Sequence, residues 1–508
     1  MFINTHIGGL AEPCPGRRWD RETIHLRLSA RVAHFRKLGI AGDAPVFLHH
    51  GNTLEFFVDL LAVWLVGGCA VPIDPQKTSY EVENMARAAA PRFSLWLGMP
   101  NGPIADSLAG MGVRCVDTAE MPETAPSGSV RYPAGGLAGL DDPALILFTS
   151  GTTGDPKGVV HTHRSLRARW TGIRHALGTK AFRRTLCLLP THHGHGLICN
   201  CLYPWLSGQD LFLTPAFSQE SILRLGSILD ENGVTFMSSV PSVWRMALKM
   251  SSPPRRNTLE RVCCGSAPLT GALWKEIRDW TGTGDVYNAY GITETGSWLA
   301  GTTVPGFTPE DGLVGKDWGG VIKVLDGASA TRHPLSLREC PPGEAGHVWV
   351  NTPALMKGYL GRDDLTRKVV SHGWYVTGDI GMIDERGLLY LKGRERDEIN
   401  KGGMKVYPDD IDAAAQRHGS TLDACAFGIE DPLLGENVAI AVVLKENRRE
   451  SLRGLVDWLR DRLGTRQLPV RWYVLEEIPR TFAGKVDRVR VAGICASREA
   501  EDIRSLYR

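Results

Sequence analysis

Short apolar runs alternate with longer, helix-like segments through much of the chain. Residues 44–49, 144–149, 186–189 and 235–239 form compact apolar runs typical of buried strands, whereas the apolar segment 54–66 is long enough for a helix. Strands that alternate with helices in this way favour mostly parallel sheets covered by helices. The pattern therefore predicts the α/β fold class.

The sequence changes character at about residue 301, where short strand-like runs lie between turns rich in glycine and proline. The runs at 320–325, 347–350 and 388–391 predict a smaller β-rich subdomain attached to the α/β body.

A charged run at 393–398 separates this body from a C-terminal part that has its own pattern of strands and helices. A charge run is usually a solvated surface, and by itself it indicates no more than that. Because this one also stands at a change of pattern, it is a candidate hinge. We therefore predict a large N-terminal domain, residues 1–393, and a small, mobile α+β domain, residues 394–508.

Composition narrows the function classes. The 508 residues carry 58 Lys and Arg against 56 Asp and Glu, a formal charge of +2 that argues against a dedicated nucleic-acid binder. The 11 cysteines include no CxxC pair and predict reduced thiols rather than a disulfide framework. The apolar stretch 56–71 is interrupted by Asp59, and the N-terminus lacks the pattern of a signal peptide. We expect a soluble protein of the cytoplasm.

Residues 147–158 read LFTSGTTGDPKG, an apolar strand followed by a loop of glycines and hydroxyl residues that ends in a lysine. Glycines let backbone N–H groups surround an anion, and Lys157 adds a cation for phosphates. The spacing is not that of a Walker loop, because Pro156 and Gly158 occupy its conserved glycine and hydroxyl positions. The whole string resembles the phosphate loop of the adenylate-forming superfamily, which includes acyl-CoA synthetases, peptide-synthetase adenylation domains and beetle luciferases. This resemblance assigns nucleotide binding to Thr149, Ser150, Gly151, Thr152, Thr153, Gly154 and Lys157.

Two further segments are similar to motifs of the same family. Residues 265–269, GSAPL, look like the loop along the adenine, and 287–295, YNAYGITET, look like the YGxTE segment. The resemblance implies that Tyr290 stacks on the purine, that Thr293 lies near the α-phosphate and that Glu294 holds Mg²⁺. It assigns nucleotide binding to Gly265, Ser266, Ala267, Asn288, Ala289, Tyr290 and Gly291, and counts Thr293 and Glu294 among the catalytic residues.

Motifs in the last third of the chain complete the resemblance, which spans about residues 20–490. Residues 373–379 match the YxTGD motif, which assigns Asp379 to the ribose hydroxyls, and Arg394 after Gly393 matches the family's arginine that touches the ribose or phosphate. Arg396 occupies the hinge position, where many relatives have Asp or Lys. Gly403 matches the glycine that lines the pantetheine tunnel. The string PRTFAGKVDR at 479–488 resembles PRTxSGKxxR and makes Lys485 the catalytic lysine.

The segment 190–196, PTHHGHG, contains three histidines. No Cys, Asp or Glu accompanies them at ligand spacing, so the spacing does not favour a metal site. The segment resembles the family's PLFHxxG, which places His193 at the mouth of the acyl pocket, with a catalytic role. The predicted acyl pocket comprises His192, His193, His195, Gly296, Ser297 and Trp298.

Trp298 would fill volume that long acyl chains need, which predicts a small or compact carboxylate; the alternative is that its ring lies in the core. The run HGHGL also looks like malonyl-CoA synthetases, but Ala289 stands where those enzymes have Arg before the YGxTE tyrosine. A free second carboxylate on the substrate is therefore not expected.

The resemblance implies a two-step ligase that uses ATP, Mg²⁺ and coenzyme A. A carboxylate first forms an acyl adenylate, and the coenzyme A thiol then takes the acyl group. A separate carrier protein or an amine remains an alternative acceptor, and a luciferase-like oxygenase shares the fold. An α-amino acid is less favoured, because the segment 192–196 lacks the usual Asp. A nucleotide-binding pseudoenzyme is disfavoured because Lys485 and Glu294 are both present.

Overall fold

The computed structural model of the chain describes residues 6–42, 44–99, 103–123, 138–149, 156–302, 308–328, 333–401, 404–432, 434–446, 448–463, 467–481 and 484–501. The strands, numbered in chain order, are β1 Leu10–Glu12, β2 Arg17–Trp19, β3 Pro45–Leu48, β4 Cys69–Pro72, β5 Phe93–Trp96, β6 Arg114–Asp117, β7 Pro143–Thr149, β8 Lys157–Thr162, β9 Arg184–Cys187, β10 Asp210–Leu213, β11 Phe236–Ser239, β12 Arg261–Gly265, β13 Val286–Ile292, β14 Ser297–Gly301, β15 Leu313–Asp317, β16 Val321–Leu325, β17 Gly346–Asn351, β18 Gly358–Tyr359, β19 Val370–Ser371, β20 Trp374–Ile383, β21 Leu389–Arg394, β22 Ile399–Lys401, β23 Met404–Val406, β24 Thr421–Asp431, β25 Gly435–Leu444 and β26 Arg471–Val474.

The helices are α1 Arg21–Leu38, α2 Leu54–Leu65, α3 Ser79–Ala89, α4 Pro103–Gly110, α5 His163–Leu177, α6 Tyr203–Trp205, α7 Gln219–Leu223, α8 Leu225–Glu231, α9 Pro241–Met250, α10 Gly271–Thr281, α11 Asp363–Val369, α12 Pro408–Gln416, α13 Arg449–Arg460 and α14 Arg488–Ala496. A π-helical segment, His195–Leu202, leads into α6. Among the described residues, no helix combines the length and the apolar character needed to cross a membrane.

The largest sheet joins the α/β body to the β-rich subdomain. Its described strands follow the order β16-β17-β20-β21-β15-β14-β13-β12-β11-β9-β10-β1-β2, with β19 paired to β20. The strands from β13 to β10 run parallel, and the β16-to-β14 part is antiparallel. The structure thus confirms the predicted α/β class, and it shows that the β-rich segment continues the same sheet.

A second sheet has the order β18-β8-β7-β4-β3-β5-β6. Helix α2 begins at Leu54, where the Thr53 side chain accepts the Phe56 N–H at 3.3 Å. Every residue of α2 except Glu55 is buried, because an apolar sequence on all sides of the helix makes it a central core element. This helix agrees with the one predicted at 54–66.

The C-terminal part forms a third sheet, β23-β22-β25-β24, with β26 paired to β25. One face packs Ile440 and Val442 with Leu455 of α13, and the other packs Ala441 with Val491 of α14. The chain leaves the large sheet at Arg394 and enters the third sheet at Ile399, within the charged run. The boundary between residues 393 and 394 remains a prediction.

The cysteines are free thiols, and most of them are buried. This agrees with the expectation of reduced, packed thiols rather than a disulfide framework.

Candidate active site

The carboxyl ends of β9, β11, β12 and β13 meet at one edge of the large sheet, because these strands are parallel. The loop after β12 begins at Ser266, and the turn after β13 is Thr293–Thr295. The backbones approach closely here: a Cβ on Gly265 would meet the Ala289 carbonyl oxygen at 2.5 Å, and one on Gly291 would meet the Ser297 carbonyl oxygen at 2.3 Å. Only glycine fits at these two motif positions.

A cavity of about 280 Å³ lies at this edge, between the large sheet and the C-terminal sheet. Both parts of the chain line it. Of the residues predicted from the sequence, the cavity is lined by Ser266, Ala267, Asn288, Ala289, Tyr290, Gly291, Asp379, Arg394, Arg396 and Lys485. The structure therefore brings four separate sequence motifs to one place.

A buried carboxylate, Asp379, organises one wall of the cavity. Its Oδ1 lies 2.7 Å from Arg394 Nε, and its Oδ2 accepts a hydrogen bond from the Tyr290 hydroxyl. Its backbone N–H donates to Thr377 Oγ1 at 2.9 Å. Burial and the neighbouring Asp379 charge raise the pKa of Tyr290 well above its usual value, so the phenol stays protonated and keeps donating.

Lys485 enters the cavity from the C-terminal sheet. The backbone N–H of Thr481 donates to the Lys485 carbonyl at 2.7 Å, which closes the turn that carries the lysine. The turn lies against α9: a Cβ on Gly484, whose φ is +77°, would meet Ser242 Oγ at 2.6 Å. Desolvation by the walls of the cavity, together with the Arg394 charge, lowers the pKa of Lys485, while Asp379 and Glu294 act in the opposite direction.

Glu294 lies in the Thr293–Thr295 turn, and its Oε1 accepts a hydrogen bond from the Tyr359 hydroxyl at 2.7 Å. The ammonium group of Lys157 lies 6.0 Å from the centre of the Tyr359 ring, so Tyr359 connects this turn to the phosphate loop. Strands β7 and β8 pair Thr149 with Lys157 at the base of that loop. Ser150, Gly151, Thr152, Thr153 and Gly154 lie outside the described residues.

Of the predicted acyl-pocket histidines, His195 is buried, and His192 and His193 are half-buried. The rings of His192 and His193 are 4.5 Å apart, and His192 Nε2 is 3.6 Å from Asp74 Oδ2. The imidazole of His195 lies between two hydroxyls, 2.6 Å from Ser238 Oγ and 2.8 Å from Ser266 Oγ. Burial lowers the pKa of His192 to about 4 and the pKa values of His193 and His195 to about 3. All three imidazoles are therefore neutral at pH 7.

Trp298 is 2 % exposed and belongs to the main core, with its ring centre 5.5 Å from that of His195 and 6.1 Å from that of Trp318. Gly296 and Ser297 precede it with φ values of +71° and +70°. A Cβ on Gly194 would contact the Ser297 side chain at 3.5 Å, so the histidine segment and the 296–298 segment face each other. The indole ring thus packs in the core and also contacts the His195 ring. The pocket role of Trp298 remains a prediction.

The hinge candidate Arg396 is exposed and lies in the short turn between β21 and β22, where its Nε is 3.6 Å from Asp397 Oδ1. Gly403 lies outside the described residues, so the predicted pantetheine position has no geometry here. Both assignments remain predictions.

Sequence reasoning missed Tyr359 and several charged residues that line the cavity, among them Arg245 and Asp311. Tyr359 lies in the short strand β18, which pairs with β8, and only this pairing places its hydroxyl beside Glu294. No local signal in the sequence distinguishes these three residues from ordinary surface or core positions.

The residues present fit a magnesium nucleotide. The described residues contain no group of three or more His, Cys, Asp and Glu side chains placed to hold a metal. Mg²⁺ is usually held by one or two carboxylates together with substrate phosphates, and Glu294, with one oxygen taken by Tyr359, suits that role. In the wall of the cavity, Asp379 and Arg394 form a polar pair that suits ribose hydroxyls.

A cavity at the carboxyl ends of parallel strands, to which the C-terminal part of the chain contributes a lysine, is the usual position of a nucleotide site in an α/β enzyme. The model of the AMP-binding enzymes matches residues 17–360, and the model of their C-terminal domain matches residues 410–485. The first match covers more than half of the chain, so the chain belongs to the AMP-binding enzymes, the adenylate-forming superfamily.

Relatives extend over nearly the whole chain. A fatty acid–[acyl-carrier-protein] ligase, ScoC of Streptomyces coeruleorubidus, is 30% identical over 94% of this chain and 91% of its own. The oxalate–CoA ligase of Arabidopsis thaliana is 28% identical over 96% of this chain and 98% of its own. The crystal structure of ATP-bound MatB from Rhodopseudomonas palustris has a TM-score of 0.82 at 23% identity, over 97% of this chain and 96% of that one, which establishes similarity of fold.

Proposed function

We propose that this enzyme joins a small or compact carboxylic acid to coenzyme A in two steps, through an acyl adenylate formed from ATP. The observation that carries the proposal is that one cavity is lined by Lys485, Asp379, Arg394 and Tyr290, residues that four separate matches to the family supply. The relatives support the same chemistry, since their names include CoA ligases and a carrier-protein ligase.

In the first step, a carboxylate oxygen attacks the α-phosphorus of ATP and pyrophosphate leaves. Asp379 and Arg394 hold the ribose, and Tyr290 lies along the base. Lys485 brings the carboxylate and the α-phosphate together and balances the charge that grows on the phosphoryl oxygens. Glu294 would hold Mg²⁺, which supplies positive charge to the phosphates when bound.

In the second step, the unit 394–508 turns about Arg396, withdraws Lys485 and brings the Gly403 face to the cavity, so that the coenzyme A thiol attacks the acyl carbonyl and AMP leaves. The chain crosses between the two sheets in the few residues from Arg394 to Ile399, which suits a hinge. A cytoplasmic location remains a prediction.

The proposed size of the acid rests on the prediction that His195 and Trp298 end the acyl pocket. His195 is neutral and lies between Ser238 and Ser266, and the ring of Trp298 packs against it. A pocket that ends in an imidazole and an indole favours a compact acid with a polar substituent over a long alkyl chain.

Pyrophosphate release across a panel of carboxylates, with and without coenzyme A, tests the proposal. We expect release with small acids in the absence of coenzyme A and thioester formation when it is added. Absence of pyrophosphate release with every acid would overturn the proposal. The relationship to ScoC favours a carrier-protein thiol as a second acceptor; thioester formation on a holo carrier protein but not on coenzyme A would establish it.

Trp298→Ala tests the size limit. Each further CH₂ that the enlarged pocket buries is worth about 0.8 kcal/mol, so we expect the preference to shift toward acids longer by several carbons. Trp280→Ala, which empties a core site next to Trp244 in α9, is the control for a cavity elsewhere. A chain-length profile unchanged by Trp298→Ala would assign the indole to the core alone.

A further inference from the structure

The Thr293–Thr295 turn carries two of the proposed site residues and joins β13 to β14, whose residues Ile292 and Ser297 pair across it. Within the turn, the Gly296 N–H donates to the Thr293 carbonyl at 3.0 Å. The chain then passes through two residues with positive φ, Gly296 at +71° and Ser297 at +70°. For Ser297 this left-handed conformation costs about 1–2 kcal/mol. Besides this pairing, the Thr295 hydroxyl donates to the Ile292 carbonyl at 3.2 Å, and contacts from outside the turn add to these local bonds.

Three consecutive carbonyl oxygens of the turn each accept a hydrogen bond from a different part of the chain. His161 Nε2 in β8 lies 2.8 Å from the Thr293 oxygen, and the Met356 N–H donates to the Glu294 oxygen at 2.7 Å. Arg169 in α5 donates to the Thr295 oxygen through both Nε, at 3.0 Å, and Nη2, at 2.9 Å. Each residue of the turn therefore accepts a hydrogen bond from outside it, and at two of the three residues the donor is a side chain.

Arg169 is an unusual residue to find in a core. It is 1 % exposed, and no carboxylate among the described residues forms an ion pair with it; its third contact is Nη1 to the Trp318 carbonyl at 2.7 Å. Burying a guanidinium without a counter-ion costs several kcal/mol, and well-packed apolar residues often serve stability better than buried charges do. Fold stability alone therefore does not explain an arginine at this position. The planar guanidinium does explain it, because two of its N–H groups together fix the position of the Thr295 carbonyl.

We propose that Arg169 and His161 are positioning residues that act through the backbone of the Thr293–Thr295 turn to hold the side chains of Thr293 and Glu294 in place for the phosphates and Mg²⁺. This inference rests on the proposed function, because it takes Glu294 as the residue that would hold the metal. Burial lowers the pKa of His161 to about 4, so its imidazole is neutral and Nε2 carries the proton that it donates to Thr293. The placement of a carboxylate matters on the scale of an ångström. Loss of either set of hydrogen bonds should therefore weaken the binding of the magnesium nucleotide rather than the binding of the acid.

The test compares Arg169→Met, which keeps the stem and removes the donors, with Arg169→Lys and with His161→Gln, whose amide can still donate. Arg167→Met, at an exposed position of the same helix, is the control. We measure kcat and KM for ATP in pyrophosphate release, and the Mg²⁺ concentration that gives half the maximal rate. Calorimetry gives the Kd of the Mg²⁺ complex of an ATP analogue with a methylene group between the α and β phosphorus atoms. Thermal unfolding reports stability.

We expect Arg169→Met to lower kcat by about 10- to 100-fold and to raise the Mg²⁺ requirement and the analogue Kd several-fold, the usual range for residues that orient a metal ligand. Arg169→Lys and His161→Gln should lie between Arg169→Met and the wild type, and Arg167→Met should equal the wild type.

A folded Arg169→Met enzyme with wild-type kcat and Mg²⁺ requirement would overturn the inference, and so would a loss of thermal stability without either change. If Arg169→Met does not fold, Arg169→Lys and His161→Gln are judged by the same two criteria. Failure of the wild type to release pyrophosphate would overturn the proposed function instead, and the analogue Kd would still decide the positioning role.

Discussion

The two sides of the cavity are built in different ways. On the large sheet, site residues follow parallel strands that are paired on both sides, and buried groups such as Arg169, His161 and His195 hold the loops between them. On the C-terminal side, Lys485 stands on a turn beside the third sheet. The C-terminal part of the chain contacts the N-terminal part through polar groups at its surface. Arg417 pairs there with Asp311, and Arg245 Nη2 lies 3.2 Å from Gln416 Oε1.

This difference indicates that the large-sheet side of the site is the preorganised one. Buried, fully bonded loops change position only at a high free-energy cost, whereas exposed ion pairs are worth about 0–1 kcal/mol each. The loops of the large sheet can therefore keep their position when the C-terminal part that carries Lys485 moves, as the proposed function requires. The predictions below test this contrast.

Lys485→Ala should give the largest effect, because it removes the ammonium group that the C-terminal part of the chain places in the cavity. We expect adenylate formation to fall by about 1,000-fold or more, while thioester formation from synthetic acyl-AMP stays largely intact. Pyrophosphate release and thioester formation are measured separately. Gly403→Leu should show the reverse pattern. An equal loss of both half-reactions in Lys485→Ala would mean that the two sides are not separable.

Glu294→Gln keeps the size of the side chain and removes its charge on the fixed side of the cavity. We expect ATP use to fall by about 10- to 100-fold, with a raised Mg²⁺ requirement. Titration of Mg²⁺ in the pyrophosphate assay measures this, with Glu385→Gln, at an exposed turn, as the control. An unchanged Mg²⁺ dependence would place the metal ligand elsewhere.

His195→Gln tests whether the fixed side depends on neutral, buried imidazoles. Burial lowers the pKa of His195 to about 3 in the folded protein, against about 6.5 for an exposed histidine. Below pH 6.5 the unfolded chain binds a proton that the folded protein does not, so this histidine makes the free energy of unfolding fall as pH decreases toward 3. One such group contributes a slope of about 1.4 kcal/mol per pH unit.

Urea unfolding between pH 7 and pH 4 should therefore show a shallower dependence in His195→Gln than in the wild type. His175→Gln, on the exposed side of α5, is the control for the loss of one histidine. Equal slopes in the wild type and His195→Gln would show that protonation of this residue does not limit stability in acid.

Arg417→Ala should have the smallest effect, since it removes one ion pair at the surface between the two sides. We expect a loss of up to about 1 kcal/mol in the stability of the arrangement that presents Lys485, and hence a decrease of up to about five-fold in adenylate formation. Thioester formation from acyl-AMP should not fall. Arg460→Ala, on α13, is the control. A parallel loss of both steps would contradict a role at this interface.

Much of the architecture could be read from the sequence. Helix α2 and strands β3, β7 and β11 were predicted within one or two residues, because apolar runs of strand or helix length report burial directly. The motif residues Tyr290, Asp379, Arg394 and Lys485 were also predicted, since each stands in a short string whose order is distinctive. The structure brings all four to the same cavity.

The tertiary structure alone decided what surrounds those residues. Tyr359 reaches Glu294 only because β18 pairs with β8, and Arg169 reaches Thr295 only because α5 packs beside the turn, 126 positions earlier in the chain. Neither Tyr359 nor Arg169 lies in a recognisable sequence motif. An arginine on a helix is usually exposed to solvent, so its sequence position does not indicate a role in the site. Local sequence fixes which groups can react or pack. The partners that orient them come from contacts between distant segments, which form only when the strands and helices pack together.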